Sequence, residues 1–133
     1  MTTDEERHQM IERNVMRHPE TATADTILLW ERLAIELVGI IGHSGFDSLY
    51  TRSIHLVRVQ HPWLAEGGDP RFDKLRASLE EQEPSPAGAA SIALLTTFTD
   101  TLIQLIGASL TTTILRSAWS QDTADTAAKG IQQ

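Results

Sequence analysis

The chain has 133 residues, a mass of 14.7 kDa, 41% apolar residues and no cysteine, which is the size and composition of one globular domain. The absence of cysteine excludes disulfides, thiolate nucleophiles and cysteine-ligated metal centres in this chain, and it favours a reducing compartment. A formal net charge of −7 repels nucleic-acid phosphates and anionic lipids, so we expect neither nucleic acid nor a membrane as a partner.

The N-terminal segment and the apolar stretches predict neither export nor a membrane span. Residues 1–7 are acidic and polar, unlike the basic start and apolar middle of a signal peptide. Residues 27–41 and 102–115 are shorter than the ~20 residues that a bilayer span needs, and charges or threonines interrupt them. We therefore expect a cytoplasmic protein.

A first helix is predicted from the capping box that Thr3 and Glu6 form, and it should run to about Arg17, before Pro19. Its apolar face is thin, so we expect it to dock late on the other helices or to pair with a partner chain. That face consists of Met10, Ile11 and Val15.

A second helix is predicted from about Ala24 to Ile41, because apolar residues occupy most of its circumference. Gly42 should end it in a left-handed conformation, and Ser44 should cap a third helix that ends before Pro62. The expected inner positions of the two helices are Leu29, Trp30, Leu33, Leu37, Ile40, Phe46, Leu49, Tyr50, Ser53 and Val57. The polar strip expected on the second helix is Glu31, Arg32, Glu36 and Gly39.

A short fourth helix is predicted from Asp69, a suitable N-cap, and from Pro70 at the first helical position. Its expected inner residues are Phe72, Leu75 and Leu79. Prolines and glycine over residues 83–88 then predict a loop.

A fifth helix is predicted from about Ala89 to Ile106, and Gly107 with Ser109 should end it and open a sixth. Inner positions expected on these helices are Leu95, Phe98, Leu102, Leu105, Leu110, Ile114, Leu115, Ala118 and Trp119. Residues 121–133 lose the apolar period, which predicts a frayed or disordered tail.

Residues 29–53 align with residues 94–117 when Gly45 is omitted, and the apolar positions then coincide. The stop, cap and basic residues coincide too: Gly42 with Gly107, Ser44 with Ser109, Arg52 with Arg116. Chance likeness between two amphipathic helix pairs is the alternative explanation. We expect an all-α helical bundle built from two repeated helical hairpins, about 24–60 and 89–119, with four core helices and one or two accessory helices in a single domain over 1–120.

His43 lies in a Gly42–Gly45 segment similar in composition to the turn that presents a nucleophilic serine in some hydrolases. The preceding residues have helical period, however, and residues 107–109 occupy the equivalent place without a histidine. A helix stop followed by an N-cap explains both segments. We keep His43 as a candidate ligand- or partner-binding residue.

The five histidines predict no metal site and no bound cofactor. No two of them have the i,i+4 spacing that directs two imidazoles at one ion, so solvated or locally bonded histidines are the preferred interpretation.

Three charged residues complete the candidate binding residues: Glu36, Arg52 and Arg116. Glu36 and Glu31 lie about 140° apart around a helix, so they do not converge and an ion pair with an arginine is the ordinary explanation. Arg52 and Arg116 occupy equivalent positions of the two halves and would flank a shared axis, where they would hold an anion or an acidic segment. Surface ion pairing is the alternative for both arginines.

Threonines concentrate in the second half of the chain, where we expect them on an outer, weakly charged face that tolerates burial against another protein. They are Thr96, Thr97, Thr99, Thr101, Thr111, Thr112 and Thr113. This face predicts self-association, with a homodimer as the simplest form.

Three classes of function fit the sequence. The preferred one is a non-enzymatic helical regulatory or adaptor module that acts through protein–protein interaction and self-association, for example in bacterial signal transduction. The alternative is a sensor bundle that holds a small ligand or haem between the hairpins, with His43, His55 or His61 as ligand. The least favoured is an acid–base enzyme that uses Glu36 or His43.

Overall fold

The computed structural model describes residues 4–16, 22–66 and 72–119. This part of the chain forms five helices, and it contains no strand, so the protein is all-α as predicted. The helices are α1 (Asp4–Met16), α2 (Ala22–Val57), α3 (Asp73–Glu80), α4 (Pro84–Ile106) and α5 (residues 108–119).

Several predictions at element ends fall on residues outside the described ranges. They concern the capping residue Thr3, the helix end at Arg17 and Pro19, the fourth-helix start at Asp69 and Pro70, and the tail 121–133.

The chain reverses direction inside α2, at Gly42. This glycine has φ 79° and ψ 168°. Trp30 and Tyr50, 20 residues apart, have ring centroids 5.3 Å apart, whereas a straight helix would separate their Cα atoms by about 30 Å. The predicted break at Gly42 is confirmed, with an extended ψ in place of the left-handed helical one, and α2 comprises two antiparallel segments, 22–41 and 43–57.

Gly107 reverses the chain in the same way, with φ 91° and ψ 157° between α4 and α5. α5 then packs along the first segment of α2. Ser117 Oγ donates to Glu36 Oε1 at 2.9 Å, and Trp119 Nε1 donates to the Leu29 carbonyl at 3.2 Å. Residue numbers rise along α5 as they fall along α2, so these two helices are antiparallel.

α1 packs antiparallel on α4. Arg7, near the start of α1, contacts Thr99, near the end of α4, while Met16 at the other end of α1 lies beside Gly88. A Cβ at Gly88 would lie 2.9 Å from the Met16 sulfur, so the glycine permits this close approach. The face predicted to be thin is therefore docked within its own chain, and its buried apolar members are Ile11 and Val15.

The centre of the bundle is an aromatic cluster. Trp30 packs edge-on against Phe98 at 5.0 Å and lies 5.8 Å from Phe72. Phe46 and Tyr50 complete the cluster from the second segment of α2. Such ring pairs contribute about 0.5–1.5 kcal/mol each beyond their burial, so the cluster fixes how the two halves of the chain meet.

α4 begins at Pro84, which corrects the prediction of a loop over residues 83–88. Proline lacks an N–H, but the first turn of a helix has no intrahelical acceptor for that N–H. Pro84 and Pro86 therefore fit in the first turn, where the sequence pattern alone indicated a break.

Phe72 precedes α3 instead of belonging to it, which corrects the predicted fourth helix. It adopts a left-handed conformation, with φ 58° and ψ 23°, which costs a non-glycine residue about 1–2 kcal/mol. Its side chain is buried in the aromatic cluster, and this burial offsets the backbone strain.

Three residues predicted to be internal are exposed instead: Ile40, Leu105 and Leu110. Each lies within three residues of Gly42 or Gly107. The chain reverses there, so no helix continues past these side chains to cover them. We call the end of the bundle that contains Gly42, Gly107 and these three exposed residues the turn end.

The two turning glycines predict a specific pattern of stability changes. Gly42→Ala and Gly107→Ala should each lower the free energy of unfolding by about 1–3 kcal/mol, because their backbone conformation is one that alanine adopts only with strain. Gly39→Ala is the matched control: this glycine is helical, and no atom lies within 4 Å of the added Cβ. The Gly39→Ala substitution should raise the free energy of unfolding by about 0.5–1 kcal/mol.

Urea unfolding of dilute protein, followed by circular dichroism at 222 nm, measures all three changes. Equal effects of the three substitutions would contradict the assignment of Gly42 and Gly107 as obligatory reversal points.

Candidate functional site

The predicted binding residues are distributed over three helical segments: Glu36 on the first segment of α2, His43 and Arg52 on the second, and Arg116 on α5. His43 lies exposed at the start of the second segment of α2, and Arg52 and Arg116 are exposed on α2 and α5. Among the described residues, no hydrogen bond or ion pair joins His43 or Arg52 to the other predicted binding residues. Glu36 is half-buried and accepts a hydrogen bond from Ser117, where an ion pair with an arginine was expected.

The part of the chain that the structure describes holds no group of three or more His, Asp or Glu side chains placed to bind a metal ion. His8 lies 3.6 Å from an Asp100 oxygen, and His61 packs edge-on against Trp63 at 5.9 Å. His43 and His55 are exposed.

An open groove of about 310 Å³ lies between the end of α2 and the middle of α4. Its polar groups come from Gln60, His61 and Thr97. Leu56 and Val59 form part of its apolar wall and are themselves exposed. Of the three histidines considered as ligands, His61 is the one that lines this groove, and the groove is large enough for a small molecule.

A buried cation joins α1 to α4. Arg7 has only 3% of its surface exposed, and its guanidinium donates to Thr99 Oγ1 at 2.6 Å and also to Asp100 Oδ1. Arg7 follows the same i,i+4 spacing as Ile11 and Val15 on the buried face of α1. That spacing is the signal in the sequence that could have identified Arg7 as an inward-facing residue, although arginine is rarely buried.

Two of the threonines predicted to lie outside, Thr99 and Thr111, are fully buried. Thr99 accepts the Arg7 hydrogen bond and donates to the Thr96 carbonyl at 3.1 Å. α1 therefore covers part of the face that was expected to meet another protein. The prediction of an outer threonine face is wrong at these positions because the chain supplies its own cover.

An apolar strip on α2 faces solvent. We define the α2 outer face as the exposed residues Ala24, Leu28, Glu31, Ile35 and Gly39. Their spacing of four, three, four and four residues places them on one side of the helix. Ile35 is 76% exposed and Leu28 is 38% exposed. The predicted polar strip is therefore corrected: this side of α2 is largely apolar.

α4 is long and apolar enough to cross a membrane by length and composition. Its apolar residues also form the contact surface with α2, where Leu94, Leu95, Phe98 and Leu102 are fully buried. A core helix of a soluble bundle has the same composition, so this feature is weak evidence for a membrane span.

Comparisons with protein-family models, with curated proteins and with solved structures found no match to this chain.

Substitution of Arg7 tests whether its hydrogen bonds hold α1 against α4. Arg7→Ala should lower the free energy of unfolding by about 1–3 kcal/mol, because it removes two hydrogen bonds and leaves a gap under α1. Arg13→Ala is the matched control on the same helix: Arg13 is exposed, and its loss should cost less than about 0.5 kcal/mol.

Urea unfolding gives both values, and amide hydrogen exchange locates the effect. Arg7→Ala should speed exchange in α1 more than in α2 or α4. Similar stabilities for the two variants would contradict a structural role for Arg7.

Proposed function

We propose that this chain is a non-enzymatic helical module that acts by binding protein, and that one of its partners is a second copy of itself. The observation that carries the proposal is the α2 outer face. Ile35 lies in the middle of a helix, away from the turn end, yet three quarters of its surface is exposed. An apolar strip at such a position loses contact with water when another protein covers it, which favours association.

The placement of the ionisable groups also supports a binding role. Glu36 and His43, the residues considered for acid–base chemistry, have different surroundings: Glu36 accepts a hydrogen bond from Ser117 on α5, and His43 is exposed at the start of the second segment of α2. The space between the two halves of the chain is occupied by aromatic rings. This arrangement is typical of a packed scaffold whose function lies on its outside.

We further propose that the two hairpins are related by internal repetition. Gly42 and Gly107 share a rare backbone conformation, with φ and ψ values within 12° of each other. Aligned positions also share their burial: Trp30 with Leu95, Leu33 with Phe98 and Leu37 with Leu102 are fully buried, whereas Ile40 and Leu105 are both exposed. Two related hairpins that pack face to face bury their apolar sides without a partner, which supports a compact monomer as the unit that associates.

Self-association predicts a mass that depends on concentration. Sedimentation equilibrium from about 5 μM to about 500 μM should show a monomer passing into a dimer, the range in which weak complexes change population. Ile35→Glu should keep the fold and remove the dimer, because it places a carboxylate in the centre of the apolar strip.

Leu105→Glu is the matched control, since Leu105 is another largely exposed apolar residue, at the turn end. A strict monomer over the whole range would contradict the proposal. Loss of the dimer with Leu105→Glu and not with Ile35→Glu would show that the interface lies at the turn end. The exposed strip on α2 would then no longer support the proposal.

The groove beside α4 favours a second candidate function, the binding of a small apolar molecule that carries one polar group. Leu56, Val57 and Ala93 offer apolar contacts, and His61 with Gln60 offers polar ones. The groove volume of about 310 Å³ lies at the lower end of the range for ligand pockets.

Octanoate is a suitable probe, because it has an apolar chain and one carboxylate. Binding that displaces His61 should change the fluorescence of Trp63, on which His61 packs. The change should saturate, and it should be lost in His61→Ala and in Trp63→Phe, which separates it from the signals of Trp30 and Trp119. A linear response without saturation would reject this candidate.

A further inference from the structure

Met16 is the last residue of α1, and it lies where this helix meets the beginning of α4. The side chain has 44% of its surface exposed, although the neighbouring Val15 is fully buried. Its sulfur packs on Gly88: a Cβ at that glycine would lie 2.9 Å from the sulfur and 3.6 Å from the terminal methyl carbon. One methionine side chain is therefore both open to solvent and part of the contact between two helices.

We propose that Met16 is a modification site, at which a hydroperoxide converts the thioether to a sulfoxide and thereby detaches the end of α1 from α4. The sulfur donates an electron pair to the terminal peroxide oxygen, so an S–O bond forms and the O–O bond breaks. Sulfur is oxidised by two electrons. The proton of the transferred oxygen passes to the other oxygen, which leaves as water or as an alcohol. The proposal is independent of self-association, because it concerns the attachment of α1 within one chain.

Exposure distinguishes Met16 from Met10, the other methionine that the structure describes. Met10 is half-buried and packs against the hydrophobic core. Oxidation of a thioether requires that the peroxide reach the sulfur, so the more exposed side chain reacts sooner. Both methionines lie on α1, which makes Met10 an internal reference for the reactivity of Met16.

The contact with Gly88 explains why oxidation should change the structure. Gly88 is buried, and because it has no side chain the Met16 sulfur can lie against the α4 backbone. A sulfoxide is larger than a thioether, and it carries a polar S–O group. Holding that group against buried backbone would remove part of its hydration, so the oxidised side chain favours a position in solvent.

Loss of this contact matters because α1 is short. A helix of 13 residues is only marginally stable by itself in water, so α1 depends on its packing against the other helices. The buried hydrogen bonds of Arg7 hold the beginning of α1. Release at Met16 should therefore unwind the helix from its other end, which exposes the buried side chains of Val15 and Ile11.

Peptide mapping tests which methionine reacts. Trypsin places the three methionines on separate peptides, residues 1–7, 8–13 and 14–17. Brief treatment of the folded protein with hydrogen peroxide, quenched before digestion, should oxidise Met16 at least about threefold faster than Met10. In protein unfolded by urea the two rates should be equal, which attributes the difference to the fold. Equal rates in the folded protein would overturn the proposal.

Gly88→Ala tests the contact itself. The added Cβ displaces the flexible Met16 side chain outward, so oxidation of Met16 should become at least about twofold faster while that of Met10 stays the same. Gly39→Ala is the matched control, because no atom lies within 4 Å of its added Cβ. An unchanged Met16 rate in a Gly88→Ala protein that melts cooperatively would show that this contact does not control the site.

Amide hydrogen exchange tests whether oxidation detaches α1. Oxidised protein should exchange the amides in the second half of α1 at least about tenfold faster, with little change in the buried part of α4. Met16→Gln should loosen α1 without peroxide, because glutamine is a polar side chain of similar length. Met16→Leu keeps the apolar contact and cannot be oxidised, so peroxide should leave α1 unchanged in this variant.

These measurements on dilute protein decide each step separately. A Met16 sulfoxide that leaves the exchange of α1 unchanged would overturn the detachment of the helix. Faster exchange in α1 of peroxide-treated Met16→Leu would assign the effect to another residue and overturn the site. Neither result depends on whether the chain forms a dimer, because sedimentation of the same samples reports association independently.

Discussion

The contact of the Trp30 indole with three other aromatic rings holds the two halves of this bundle in one arrangement. Tyr50 reaches it from the returning segment of α2, Phe98 from α4, and Phe72 from the residue before α3. The indole nitrogen is buried without a hydrogen-bond partner among the described residues, which costs free energy. Ring packing must outweigh that cost, so the position of Trp30 is set by shape and by apolar contact.

The reversals at Gly42 and Gly107 turn the chain back along the bundle: Gly42 returns Phe46 and Tyr50 to the cluster, and Gly107 returns α5 to the first segment of α2. These features were predictable from the sequence, since a glycine between two apolar helical runs has few other uses. The start of α4 at Pro84 and the backbone of Phe72 were not. Both depend on tertiary context. Prolines in the first turn of a helix give the same sequence pattern as a loop, and the backbone strain of a residue such as Phe72 is offset only when its side chain is packed in the core.

The candidate surface shows the same limit of sequence reasoning. α2 is apolar around most of its circumference, so the pattern did not determine which apolar residues face the core and which face water. Leu29 and Leu28 are neighbours of the same type, but one is buried and the other is partly exposed. Arg7 is the converse case. It is charged, yet it is buried between α1 and α4, because Thr99 and Asp100 accept hydrogen bonds from its guanidinium.

The two long helices differ in what covers their outer faces, and this asymmetry explains why one side of the bundle is left exposed. Under the alignment of the two halves, Thr99 and Asp100 of α4 correspond to Ala34 and Ile35 of α2. α4 has polar acceptors at these positions, and α1 docks on them through Arg7. α2 has apolar side chains instead, and Ile35 is exposed. A polar site holds the chain's own helix in a fixed register, whereas the apolar side chain at the equivalent position of α2 has no such acceptor to offer, so the same position fixes a helix in one half and stays exposed in the other.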